Sequence, residues 1–273
     1  MKSRRSSPRR TWSGDVTRLD DSRRGVYLLP NLLTTAGLFC GIFSIAQTVE
    51  GAYGRAALAL IAAQAFDVLD GRVARLTNTT SRFGQEYDSL CDLVSFGVAP
   101  ALLVYSWALT PLGAWGWLAP GLFVCCAALR LARFNTMVGH TDSNYFMGLP
   151  VPAAAGMLAT IVMIYRFVGR AGLPDKDIVV LVATYALAVL MVSSVPYVTG
   201  KQFRLHKRQP LWALLAGILM LNFAIASYQI VLFAIGITYV SSGPSLWIYR
   251  AIRSWREPPQ SGSGSEPKAA AGA

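Results

Sequence analysis

Apolar residues recur along the chain in long blocks separated by short polar stretches. The blocks run to roughly 17–25 residues, the length that carries a helix across ~30 Å of hydrocarbon at 1.5 Å per residue. Eight spans are predicted, at about 27–49, 54–75, 86–108, 113–136, 150–168, 178–198, 210–226 and 229–249. Gly51, Pro111, Gly113, Pro150, Pro174 and Pro210 punctuate their ends. Runs such as Ile178–Leu190 stay apolar at consecutive positions, whereas strands of a membrane barrel alternate. The expectation is an all-α, polytopic transmembrane helical bundle of about eight spans.

Composition agrees. The chain has 273 residues, 53% hydrophobic and 14% charged, against about 25% charged in soluble domains. Mean hydropathy is +0.42. A soluble cytoplasmic enzyme, a disordered protein and a coiled coil are all excluded. Residues 1–25 are polar and basic, and the run Val26–Val49 is too long for a signal peptide and lacks a small-residue cleavage site. It reads as a retained first span. Cys40, Cys91, Cys125 and Cys126 lie inside apolar blocks with no C-x-x-C pair, so they read as packing thiols rather than a disulfide or zinc framework.

Charge then sets orientation. With the N-terminus in the cytoplasm, 21 of the 25 Lys and Arg fall on the inner side, and only Arg55, Arg166, Arg170 and Lys176 fall outside. That bias predicts cytoplasmic N- and C-termini and an even number of spans. The net charge of +11 is then orientation signal and attraction to anionic headgroups, not a nucleic-acid surface.

The second and third spans hold acids, which are costly at membrane depth and mark function. Asp67 and Asp70 are i,i+3; Asp88 and Asp92 are i,i+4. Each pair therefore shares a helix face. The short connection Leu76–Phe83 makes the two helices an antiparallel hairpin, so the faces can meet. Four converging carboxylates repel unless protonated or neutralised. Hard divalent cations, Mg²⁺ or Mn²⁺, suit oxygen ligands, and four acids suit a pair of ions better than one. Two other readings stay open on spacing alone: an ion-pair network with Arg72 or Arg75, and an ion or proton pathway. Gly71 and Gly84 each remove a side chain, for close approach of a ligand or for helix packing. His140 and His206 have no ligand spacing and are given no catalytic role.

The pattern Asp67-x2-Asp70-Gly71-x2-Ala74-Arg75-x8-Gly84-x3-Asp88-x3-Asp92 resembles the complete signature of the CDP-alcohol phosphatidyltransferases. Further segments, Leu29–Thr34, Val94–Pro100, Arg130–Asn135 and Tyr145–Pro152, resemble the phosphatidylserine synthase branch of that family. The resemblance covers roughly residues 26–160. It implies transfer of the phosphatidyl group of CDP-diacylglycerol to the hydroxyl of L-serine, with release of CMP. It also implies that Asp67, Asp70, Asp88 and Asp92 hold two divalent cations, with Asp92 doubling as general base. Gly71, Ala74, Arg75 and Gly84 match positions that accommodate the cytidine diphosphate, with Asn31 and Thr34 lining the nucleotide side. For serine, Arg130 and Arg133 are candidates for the carboxylate, since guanidinium forks match carboxylates; interfacial anchoring is their alternative. Asn135 is a further candidate.

The organisation expected is a basic cytoplasmic segment over 1–25, a catalytic helical core over 26–170, additional spans over 171–252 and a disordered cytoplasmic tail over 253–273. A homodimer in the plasma (inner) membrane of a bacterium, with its active site facing the cytoplasm, completes what the resemblance implies. Two alternatives are carried. One is the same transfer to glycerol phosphate, inositol phosphate or choline; the other is a divalent-cation transporter, although one acid-rich hairpin without a second copy lacks the repeats usual in transporters.

Overall fold

The computed structural model describes residues 21–77, 81–137, 145–169, 176–193, 195–198 and 227–256. The expected seventh span, the basic loop Lys201–Arg208, both histidines and the tail beyond residue 256 lie outside these residues. The described chain is helical: α1 (Asp21–Val49), α2 (Tyr53–Leu76), α3 (Arg82–Asp92), α4 (Ala99–Val104), α5 (Gly113–Met137), α6 (Val151–Val168), α7 (Lys176–Val192) and α8 (Tyr228–Arg256). One pair of three-residue strands, β1 (Tyr145–Met147) and β2 (Pro196–Val198), runs antiparallel. The sequence pattern predicts neither strand.

Among the described residues, four helical stretches are long and apolar enough to cross a membrane: Leu29–Val49, Arg82–Thr136, Val151–Val168 and Tyr228–Trp247. The second is one 55-residue run containing two of the expected spans. It breaks at Gly113 (φ +55°), near Pro111. The acid-bearing α2 is not among the four.

Packing begins with α1 against α2, joined through a tight turn at Gly51 (φ +74°). Behind them α2 meets α6, α5 meets α7, and α8 lies along α6. The interior is built from side chains such as Leu60, Phe96, Phe123, Leu158 and Met191. The opposite surface of α1 exposes Leu32, Phe39, Ile42 and Phe43, the pattern of a lipid-facing helix. Bilayer helices pack closely where side chains are small, and α1 does so at Gly41, where a Cβ would stand 2.7 Å from the Ser95 Cα.

The third span is not a uniform α-helix. After Asp92 it widens into π-helix over Leu93–Val98, and again over Tyr105–Leu109. Such turns often sit at functional sites. Here the first buries Ser95 and Phe96 directly beyond Asp92.

The helix at the expected sixth span, α7, departs from expectation, ending at Val192 instead of running to 198. The amide of Leu149 donates to the Leu190 carbonyl (3.0 Å), and Gly148 donates to Val195 (2.8 Å). These partners take up carbonyls at the helix end and turn the following residues into β2.

Candidate active site

The hairpin α2–α3 brings the acids together as its periodicity predicts. One carboxylate oxygen from each of Asp67, Asp70 and Asp88 lies within 4.8 Å of the others. Asp92 lies outside that trio but lines the same notch, together with Thr34 and Ser95. The notch offers ≈ 190 Å³ of atom-free space, some of it open to the outside. Its lining of carboxylates and hydroxyls, from Asp67, Asp70, Asp88, Asp92, Thr34 and Ser95, suits a hard cation.

Local structure explains the convergence. Ser81 caps α3, its hydroxyl accepting from the Gly84 amide at 3.0 Å. Helix α1 then brackets both acidic helices. Thr34 Oγ1 donates to Asp70 Oδ2 at 2.8 Å. One residue on, the Thr35 and Tyr87 hydroxyls are hydrogen-bonded at 2.9 Å, and Tyr87 stacks on Phe83 with centroids 6.0 Å apart. Asn31 Oδ1 stands 3.4 Å from where a Gly84 Cβ would be.

The carboxylates are crowded and largely buried. Asp70 is only 6% exposed, and Asp88 Oδ1 is buried with no hydrogen-bond partner. Among the described residues, neither Arg72 nor Arg75 pairs with any of the four acids, and both are exposed. This removes the support for the ion-pair reading. Clustered carboxylates in a low dielectric need positive charge, and an all-oxygen donor set matches a hard divalent cation. The residues present therefore fit a metal.

The predicted nucleotide positions surround this notch unequally. Gly71 has open space on its flank; among the described residues a Cβ there would meet only Arg75 Nη2, at 3.9 Å. Helix packing therefore does not explain this glycine. At Gly84 a Cβ would come 3.2 Å from Ser81 Oγ of the cap and 3.4 Å from Asn31 Oδ1 of α1, so close packing accounts for this glycine. Ala74 is partly exposed. Thr34, expected on the nucleotide side, lines the notch and donates its hydroxyl to Asp70.

The serine candidates sit on α5. Arg130 Nη1 donates to the Met191 carbonyl at 3.0 Å, at the end of α7. Arg133 is exposed. Asn135 accepts from Ser89 at 3.2 Å and donates to Glu86 Oε2 at 3.2 Å, which ties α5 to α3 beside Asp88.

Sequence reasoning missed several supports. Gln64, one turn before Asp67, donates to the Pro152 carbonyl and links α2 to α6. Gly37 lines the notch, and its carbonyl accepts from Ser95 Oγ at 3.4 Å. The spacing Gly37-x3-Gly41 is the small-residue signal that could have exposed this close crossing. Thr35 and Tyr87 carry no comparable signal.

Comparison with known proteins identifies relatives of the chain. A family model described as CDP-alcohol phosphatidyltransferase matches residues 27–196. A CDP-diacylglycerol–serine O-phosphatidyltransferase of Helicobacter pylori is 37% identical over 234 residues, covering 84% of this chain and 94% of the relative. One of the same name from Mycobacterium leprae is 45% identical over 152 residues, 50% of this chain and 49% of the relative. An archaetidylserine synthase of Methanothermobacter thermautotrophicus is 39% identical over 171 residues, 62% of this chain and 69% of the relative.

Proposed function

The chain belongs to the CDP-alcohol phosphatidyltransferase family, and from that premise we propose that it is a phosphatidylserine synthase. It moves the phosphatidyl group of CDP-diacylglycerol to the hydroxyl of L-serine and releases CMP. The observation that carries this reading is the meeting of Asp67, Asp70 and Asp88 within 4.8 Å, at the family's own positions. The choice of serine is supported by the names of relatives, foremost the one matched over 94% of its length.

Phosphoryl transfer needs positioning and charge neutralisation more than covalent protein chemistry. Two divalent cations, Mg²⁺ or Mn²⁺, held by Asp67, Asp70, Asp88 and Asp92, would neutralise the diphosphate and polarise its phosphorus. A serine hydroxyl is a weak nucleophile, so a carboxylate must take its proton. Asp92 is assigned that role. The serine oxygen attacks the phosphorus bearing diacylglycerol, the P–O bond to CMP breaks, and the proton rests on Asp92 before passing to water.

On the donor side, the bare flank of Gly71 seats the cytidine diphosphate, with Ala74 small beside it and Arg75 reaching over the space. Gly84 and Asn31 line the facing wall. Arg130 and Arg133 read the serine carboxylate, and Asn135 adds a polar contact. The wider setting proposed is an eight-span homodimer in a bacterial inner membrane, both termini and the active site facing the cytoplasm. The basic-residue asymmetry supports that orientation. It lets CDP and serine arrive from water while acyl chains stay in lipid.

The test is acceptor-dependent turnover. Purified protein with CDP-diacylglycerol and Mn²⁺ is expected to release CMP only when L-serine is added, and to yield phosphatidylserine. Release driven by glycerol phosphate, inositol phosphate or choline, and none by serine, would overturn the acceptor assignment.

A further inference from the structure

We infer that Thr34 is a positioning residue for the metal-binding carboxylate of Asp70, rather than part of the nucleotide wall. This rests on the reading of the acid cluster as a cation site.

Thr34 is 8% exposed and Asp70 6%, so water competes little for either. The hydroxyl of Thr34 has two acceptors in reach: the Pro30 carbonyl at 3.1 Å, within its own helix, and Asp70 Oδ2 at 2.8 Å, across to α2. It carries one proton. The carboxylate is the closer acceptor and the charged one, and charge-assisted hydrogen bonds are shorter and stronger. A threonine inside a helix commonly returns its hydroxyl to the carbonyl four residues back. Here that default yields to an inter-helix contact.

The contact has a specific consequence. The terminal torsion of an aspartate is soft and broad. With Asp67 and Asp88 close by, repulsion favours swinging the Asp70 carboxylate away from the cluster before a cation arrives. A donor on Oδ2 fixes that rotation and holds the carboxylate toward its neighbours. Thr34 sits on α1, whose neighbouring Thr35 is latched to Tyr87 of α3, so its position is itself fixed. Asp88, by contrast, has a buried oxygen with no protein partner. The design orders one carboxylate in advance and leaves another for the ion.

The experiment measures Mn²⁺ binding by the electron paramagnetic resonance signal of free Mn²⁺, on the purified full chain, without substrate. Wild type, Thr34→Val, Thr34→Ser and Asp70→Asn are compared, after a melting temperature establishes that each is folded. Thr34→Val keeps the shape and removes the donor; it is expected to weaken Mn²⁺ binding about tenfold, the scale of a hydrogen bond to a charged group. Thr34→Ser is expected to stay within about threefold of wild type. At saturating Mn²⁺ the KM for CDP-diacylglycerol should be unchanged in both. If Thr34→Val does not fold, Thr34→Ala carries the same expectation. Wild-type Mn²⁺ affinity in the donor-less variant, equal loss in the Ser variant, or a raised KM with intact Mn²⁺ binding would each overturn the inference. If Asp70→Asn binds Mn²⁺ like wild type, the cation-site reading falls, and the inference with it.

Discussion

Two regions on the helix ends of this protein contain buried polar groups, and they are arranged in opposite ways. In the notch between α1, α2 and α3, like charges are crowded together, an Asp88 oxygen has no partner, and atom-free space remains. Where α5, α6 and α7 meet, donors and acceptors are matched. Arg130 donates to Met191, Leu149 to Leu190 and Gly148 to Val195, and no room is left at Gly148. A protein gains nothing in stability from unpartnered buried charge. The first arrangement is therefore one that a ligand completes, whereas the second joins helix ends through bonds within the protein. Charge and burial alone do not separate the two; satisfaction and free volume do.

Substitutions can break this contrast at either end. The largest effect is expected at Asp92. Asp92→Asn keeps the shape and removes the proton acceptor, so turnover should fall by on the order of 10²–10⁴, the contribution of general base catalysis. CMP release, read beside an unchanged melting temperature, checks it. A variant within tenfold of wild type would remove Asp92 as base. At the matched joint the expected loss is in stability instead. Gly148 has φ +78°, and a Cβ there would come 2.6 Å from the Met191 carbonyl and 2.8 Å from that of Ser193. The left-handed backbone alone costs about 1–2 kcal/mol for a side chain. Gly148→Ala should therefore lower stability by about 2 kcal/mol or more, a fall of at least ~4 °C at this size, with the KM for CDP-diacylglycerol unchanged. A raised donor KM at constant melting temperature would make the joint part of the donor's site.

The two regions were not equally legible. Spacing alone placed Asp67 with Asp70, because helical periodicity puts i and i+3 on one face, and a short connection turned α3 back on α2. The same logic put Asp88 and Asp92 together, but only Asp88 joins the tight trio, since meeting across a hairpin depends on axial register as well as on face. The bracket from α1 was hidden. Thr34 and Thr35 stand in an apolar block, and their partners Asp70 and Tyr87 are 36 and 52 residues away. At the joint, Arg130 reads in sequence as a candidate for a carboxylate, and nothing in residue identity signals that its Nη1 also reaches the Met191 carbonyl. Backbone acceptors leave no trace in residue identity. The early end of α7 was obscured for the same reason.

The smallest expected effect tests the space beside the acids. Gly71 lies inside α2, where glycine costs about 1 kcal/mol relative to alanine, and among the described residues no neighbouring helix demands it; there the one atom near a would-be Cβ is the far end of the Arg75 side chain, at 3.9 Å. A helix-propensity argument alone then makes Gly71→Ala neutral or slightly stabilising. If the flank seats the cytidine diphosphate, the added methyl group takes volume from the donor, and the KM for CDP-diacylglycerol should rise several-fold, a methyl-sized change being felt on the scale of ~1 kcal/mol. Mn²⁺ binding without substrate should not change, because the methyl does not reach the carboxylates. Melting temperature, donor KM and Mn²⁺ affinity measured on one preparation separate the outcomes. A stable variant with an unaltered donor KM would mean that the open flank is not the donor's seat, and the nucleotide would have to lie against Gly84 and Asn31 alone.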